Sequence, residues 1–396
     1  MIAAPATESE VAQAQAAVHT HMPALDGLRG FAILFVIWNH VGLSGGKAEG
    51  LLSKLFIAGA NAGWIGVHLF FVLSGFLITG ILLDARGTPD AWRNFFMRRV
   101  LRIFPVYYFT LAFLFILLPA IGAMPAWLEA DYQNQVWYWT YLSNWSVAYG
   151  LGGHGVPHFW SLAVEEQFYL VWPLVALWTR SRTLALICVG LVVSALLARI
   201  NFMYFQPRGF FWTEAAYSWT ISQWDALAIG ALAALGFRSA RWTGWLLQQN
   251  RLIGAIALGG MAAIILKARG FGIMSPEVMT IGKTLFTIVA GAVLVDAVAR
   301  PDSWLGRSIL RQPALAYLGK YSYAIYIFHL PIAHVFRGLF PVAATTQGTA
   351  ATLEVLGQMG AVLLVSLVLA RISWTLIEQP FLRLKSRFPM HAARTT

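Results

Sequence analysis

The chain has 396 residues, 58% hydrophobic and 11% charged, with a net charge of +11 and a single cysteine; soluble domains carry roughly 25% charged residues. Those proportions exclude a soluble globular protein, and the lone Cys188 excludes a disulfide framework or a thiolate metal cluster. Lys and Arg gather in short stretches between apolar blocks, as orienting charges of membrane helices do, so the positive balance implies no nucleic-acid partner.

Residues 1–22 have neither a basic start nor an apolar run, and read as a disordered cytoplasmic tail rather than a cleaved signal peptide. Blocks apolar enough for a hydrocarbon core, which takes ~20 helical residues, follow at 28–44, 63–83, 103–122, 158–179, 183–200, 214–236, 245–266, 278–299, 315–336 and 352–377. The stretch 136–149 is short, rich in Trp and Tyr, and interrupted by Ser143, Asn144 and Ser146. Charge decides its status. Arg86, Arg93, Arg98, Arg99 and Arg102 mark the loop after the second block as cytoplasmic. Alternate boundaries beyond it carry Arg180 and Arg182, Arg238 and Arg241, Arg300, Arg307 and Arg311, then Arg383, Lys385 and Arg387, whereas 123–157 holds no Lys or Arg. A full span at 136–149 would invert everything downstream against those arginines, so it reads as an interfacial or re-entrant segment on the outer side. The expected fold is all-α, a polytopic integral membrane helical bundle of about ten transmembrane helices with both termini cytoplasmic. The membrane domain is expected over 23–385, with a second cytoplasmic tail at 386–396. Neither a fixed-period repeat nor the paired broken helices of transporters is visible.

Polar groups inside a bilayer are costly and point to function. In the first block, Asp26-Gly27-Leu28-Arg29-Gly30 leads to Asn39-His40. Arg29 and His40 are eleven positions apart, almost three helical turns, so they share a face at a separation of ~16 Å. An orienting arginine plus an ordinary core histidine would give the same spacing. In Phe95–Pro105 a helix places Arg98 and Arg102 on one face with Arg99 beside them, a fork suited to phosphate oxygens or to anionic lipid. Next comes His158-Phe159-Trp160-Ser161, followed by Glu165-Glu166-Gln167-Phe168-Tyr169. Ser161 and Glu165 share a face, and a helix N-terminus accounts for one glutamate but not for two. Ser322, Tyr326 and His329 form a stripe at i, i+4 and i+7, consistent with a site wall or a hydrogen-bonded core. His154 and His158 have metal-ligand spacing, but Gly155 and Pro157 break the helix they would need, so no metal site is expected.

Taken in order, these segments resemble bacterial membrane acyltransferase family 3 across almost the whole chain. The resemblance rests on Asp26–Gly30 with Arg29 and His40, on Gly66-Val67-His68-Leu69-Phe70-Phe71 through Ser74-Gly75-Phe76, on Arg98-Arg99 through Arg102 to Pro105, and on Trp160-Ser161-Leu162 through Tyr169. Ser322-Tyr323, His329 and Glu378-Gln379-Pro380 add support. It implies O-acyl transfer, usually acetyl from cytoplasmic acetyl-CoA, to a hydroxyl of a carbohydrate such as an exopolysaccharide, a lipopolysaccharide or a lipid-linked glycan, at the bacterial inner membrane. By position it makes Arg29 and His40 the essential pair and Arg98, Arg99 and Arg102 contacts for the CoA phosphates. His68 stands where the family commonly has an acid; Glu165 or Glu166 is then expected to orient His40. Many relatives carry an added outer SGNH-type domain, and the end at Thr396 suggests action alone or with separate partners. His40 would act as general base or as a transient acyl carrier. Trp160, Ser161, Ser322, Tyr326, His329 and His68 are expected to support or bind substrate. Trp137, Trp139, Trp145 and Trp160 could stack on a sugar, although an aromatic belt accounts for most of them. Two rivals remain: a transporter or flippase of a lipid-linked glycan using the buried charges as a proton relay, and a hydrolase that needs no CoA.

Overall fold

The structure, a computed structural model, describes residues 6–19, 22–43, 50–151, 155–341 and 348–390, and among these it contains helices and no strand. Among the described residues, ten of the helices lie along the predicted apolar blocks. They are α1 (Pro23–Gly42), α2 (Ile65–Asp84), α3 (Ala91–Ala112), α4 (Phe159–Trp178) and α5 (Ser181–Ile200), then α6 (Trp224–Gly236), α7 (Ala240–Ala268), α8 (Lys283–Ala299), α9 (Pro313–Leu339) and α10 (Gly348–Ser373). Each predicted apolar block overlaps one of them, the block 214–236 only in its second half. Among the described residues, seven helical stretches are long and apolar enough to cross a membrane: those holding α1, α2, α3, α5, α7, α8 and α10. The other three are α6, which is short, and α4 and α9, which bring Glu165, Glu166 and His329 into the bundle. The chain is thus an all-α polytopic membrane protein.

Glycine sets the two tightest crossings. A Cβ on Gly27 would lie 1.7 Å from the Leu310 carbonyl oxygen, one on Gly30 2.0 Å from that of Leu315, and one on Gly319 1.8 Å from that of Asp26. α1 and α9 therefore meet backbone to backbone. Gly75 stands in the same relation to Leu227 at 1.9 Å, and Gly230 to Val72 at 2.0 Å, which locks α2 to α6. Between helices in lipid the drive to associate is close packing rather than the hydrophobic effect, and small residues permit it. The glycines of the Asp26–Gly30 motif thus serve packing. At the periphery, Leu252, Ile256, Leu258 and Leu266 of α7 stay exposed, as a lipid-facing row requires.

Several expectations need correction. Residues 8–17 are a helix rather than part of a disordered tail: Thr7 accepts from the Glu10 backbone, Glu10 answers on Thr7, and this capping box starts the helix. Its Ala14 is buried, and Gln15 donates to the Phe237 carbonyl at 3.2 Å. The block 214–236 is broken into Phe210–Ser218, a 3-10 turn at Thr220–Ser222, and α6. Ser and Thr side chains there bond outward, Ser218 to the Asn144 carbonyl at 3.0 Å and Thr220 to Gln167, and such bonds compete with helix continuation. The arginine segment, within the stretch expected to be the loop after the second block, is helical as its spacing implies and forms the first part of α3. Within the expected C-terminal tail, residues up to 390 are tied to α3: Asn94 donates to the Pro389 carbonyl at 2.8 Å and Arg98 to that of Phe388 at 3.1 Å. As expected, 136–149 is not one long helix. It forms Val136–Trp139 and Ser143–Tyr149, joined through Tyr141 at φ 55°. Neither piece approaches the ~20 residues of a span.

Candidate active site

Two chambers meet inside the bundle and share Arg29, Arg99 and Arg102 as common walls. The basic one, about 250 Å³, adds Arg98 and Lys385. The inner one, about 110 Å³, adds Ser74, Glu165, Glu166, Ser161, Ser322 and Tyr326. α3 presents the arginines because Arg98 and Arg102 are one turn apart on the same face. α4 presents the acids by the same rule. The side chains that sequence spacing grouped are therefore brought together here by four separate helices.

Charge is partly met within the chambers. Arg29 is paired with Asp26 at 2.9 Å. The Arg99 guanidinium lies over the rings of Phe95 and Tyr169, at 5.5 and 5.6 Å. Glu165 accepts from the Ser74 hydroxyl at 2.7 Å, and Tyr169 donates to the Ser74 oxygen at 3.2 Å. One Glu166 carboxylate oxygen is buried without a hydrogen-bond partner. Arg98 is turned toward the carbonyls of Phe388 and Lys385.

The inner chamber ends at Ser161 and Tyr326, whose hydroxyls are 2.6 Å apart. Tyr326 also donates to the His158 carbonyl at 2.9 Å. Directly behind it stand three histidines. The Tyr326 ring lies 5.3 Å from the His158 ring and 5.6 Å from the His329 ring. His40 Nδ1 and His329 Nε2 are 2.8 Å apart, and the His158 ring is 6.1 Å from that of His40. His158 and His329 are wholly buried, whereas His40 keeps partial access. Arg337 bonds the His40 carbonyl. Arg29 and His40 thus sit at the two ends of one line of polar groups, with Tyr326 between them.

The stripe Ser322, Tyr326, His329 is realised: its first two members line the inner chamber and the third joins the histidines. Other expectations are not. His40 is held by His329 and by neither glutamate, because Glu165 and Glu166 lie on the chamber side of Tyr326. His68 is outside both chambers; its Nδ1 faces the Trp64 carbonyl at 3.1 Å, and its Nε2 is buried without a partner. Trp160 packs edge-on to Phe71 in the core rather than facing a ligand. Trp137, Trp139 and Trp145 pair with Tyr149, Tyr108 and Trp219. His154 lies outside the described residues. Among the described residues no group of three His, Cys, Asp or Glu is placed to hold a metal ion.

Sequence reading missed Ser74, Tyr169, Lys385 and the placement of His158 in the histidine group. His158 had a signal, since it immediately precedes the Phe159-Trp160-Ser161 segment. It also missed a second buried cluster. Arg199 donates to Asp225 at 2.7 Å, to Thr284 at 2.6 Å and to the Ser222 carbonyl at 2.5 Å, and Lys283 reaches that same carbonyl at 3.2 Å.

Residues 22–371 match the acyltransferase domain family. The chain belongs to that family. Similar curated proteins are the putative peptidoglycan O-acetyltransferase YrhL of Bacillus subtilis, 29% identical over 387 residues, which take in 91% of this chain and 55% of the relative. The peptidoglycan O-acetyltransferase OatA of Listeria monocytogenes is 27% identical over 355 residues, 82% of this chain and 53% of that protein. The O-acetyltransferase OatA of Staphylococcus aureus is 27% identical over 381 residues, covering 91% and 57%. The chain spans about half the length of these relatives.

Proposed function

We propose that this protein is a membrane O-acetyltransferase that moves acetyl from cytoplasmic acetyl-CoA to a hydroxyl of a cell-surface carbohydrate, with peptidoglycan the first acceptor class to try. Family membership and the O-acetyltransferase names of the relatives support the reaction class. The observation that carries the donor assignment is the continuous wall from Arg98, Arg99 and Arg102, through Arg29, to Tyr326 and the histidines. Guanidinium groups match phosphate oxygens, and CoA offers a diphosphate and a 3′-phosphate at one end and a thioester at the other. The arginine pattern supports a cytoplasmic side for both termini and the α3 arginines, which would turn the basic chamber toward the compartment where CoA is made.

In the reaction, the arginines hold the phosphates, and the pantetheine arm extends through the inner chamber toward Tyr326. His40 takes the proton of the acceptor hydroxyl as that oxygen attacks the thioester carbonyl. The C–S bond breaks, and the proton passes to the departing CoA sulfur. The setting is a bacterial inner membrane, since a cytoplasmic donor and a surface carbohydrate meet there. The test is purified full-length chain in liposomes with radiolabelled acetyl-CoA and peptidoglycan fragments. Acceptor labelling that is lost in His40→Ala supports the proposal. Undiminished labelling in that variant, or proton-coupled glycan flux without thioester consumption, overturns it.

A further inference from the structure

The histidine geometry points to His329 as the residue that fixes which nitrogen of His40 does the chemistry, a proposal that rests on the acyl-transfer reading for its kinetics but not for its structural test. The backbone sets the chain of bonds. His329 Nδ1 lies 2.6 Å from the Tyr326 carbonyl oxygen. A carbonyl only accepts, so Nδ1 of His329 carries the hydrogen. In the neutral ring its Nε2 is then bare, and this is the nitrogen that faces His40 Nδ1 at 2.8 Å. Two bare nitrogens at that distance would repel, so the hydrogen between the rings belongs to His40 Nδ1. Nε2 of His40 is left with its lone pair and, among the described residues, no hydrogen-bond partner.

That order does what a carboxylate does in a Ser-His-Asp arrangement: it selects the tautomer and holds the ring. Here the anchor is the Tyr326 carbonyl, passed on through a neutral imidazole, so no anion is placed beside the histidines. His329 is rigidly set, because it is wholly buried and lies one turn beyond Tyr326, whose hydroxyl is fixed by Ser161 and the His158 carbonyl. When the acceptor O–H gives its proton to His40 Nε2, the imidazolium keeps its Nδ1–H on His329, and the same Nε2 proton then goes to the CoA sulfur. The products are the acetyl ester and CoA thiol, and no proton is gained or lost. His329 touches neither substrate and is a positioning residue.

The two amides separate its roles. In His329→Gln the amide oxygen reaches the place of Nε2 and accepts from His40, whereas in His329→Asn the amide reaches only the place of Nδ1 and leaves His40 without its acceptor. Turnover of radiolabelled acetyl-CoA by the full chain in liposomes should stay within about tenfold of the parent for Gln. It should fall on the order of 100-fold or more for Asn and Leu, in kcat rather than KM. Equal rates for Gln and Asn, or a rise in KM at unchanged kcat, would overturn the assignment. Histidine-nitrogen NMR of the labelled full chain in nanodiscs reads the tautomer directly, with His40 assigned by its loss in His40→Gln. A hydrogen on His40 Nδ1 that is lost or moved in His329→Leu is the expected result; a hydrogen on Nε2 in the parent refutes it whether or not acetyl-CoA is the donor.

Discussion

Replacing Asp225 by Asn should destabilise the bundle far more than a change of one atom suggests. Asp225 and Arg199 are both at 0% exposure, and their ion pair is 2.7 Å long. The carboxylate also accepts from the Ala226 backbone at 2.9 Å, while Lys283 brings a second cation to the Ser222 carbonyl that Arg199 uses. Asp225 is the carboxylate bonded to Arg199, with Lys283 close by on the Ser222 carbonyl. The amide keeps the shape but removes the anion, so Arg199 faces an N–H or an uncharged oxygen in a medium without water. Removing one partner of a buried pair costs about 3–5 kcal/mol, because the remaining charge stays buried. For a chain of this size that corresponds to a drop in Tm of about 4–6 °C. The assay is loss of the monodisperse size-exclusion peak after heating in detergent. Arg199→Met combined with Asp225→Leu should recover much of the loss, since apolar replacement of a whole buried pair is often neutral. An Asp225→Asn protein that melts with the parent would show that this cluster carries no uncompensated charge, and the reasoning would fail.

Gly30→Ala should lower stability by about 1–3 kcal/mol, since the added Cβ would sit 2.0 Å from a backbone oxygen that cannot rotate away; the same melting assay checks this, and an unchanged Tm would refute it. Tyr138→Phe removes the buried hydroxyl bonded to the Asp131 carboxylate, which also accepts from the Gly155 backbone at 2.7 Å. It should cost about 1.5–3 kcal/mol and speed limited proteolysis within 123–157. Arg102→Ala, which strips a wall common to both chambers, should reduce kcat/KM for acetyl-CoA by roughly 10- to 100-fold, read by thioester consumption in liposomes. An unaltered constant would detach the arginines from the donor.

The sequence by itself determined the class of structure and the raw material of the site. Length, apolar blocks and alternating arginines left a helical membrane bundle as the only way to satisfy the backbone in lipid. Spacing within single helices was equally legible, because helical period fixes which side chains share a face: Arg98 with Arg102, Ser161 with Glu165, Ser322 with Tyr326 and His329. The capping box of Thr7 and Glu10 is also legible, although the composition of residues 1–22 points to a tail.

Only the tertiary structure decided which faces meet. Whether His40 lies against Glu165 or His329 depends on how α1 packs on α9, and that turns on glycines at which any Cβ would collide with a facing carbonyl oxygen, a relation between residues some 290 positions apart. Arg199, Asp225 and Lys283 each sit near an end of a different helix and resemble ordinary boundary charges until α5, α6 and α8 converge. Periodicity constrains neighbours along a helix; contact between helices is set by shape and by the partner's backbone, and neither is written locally.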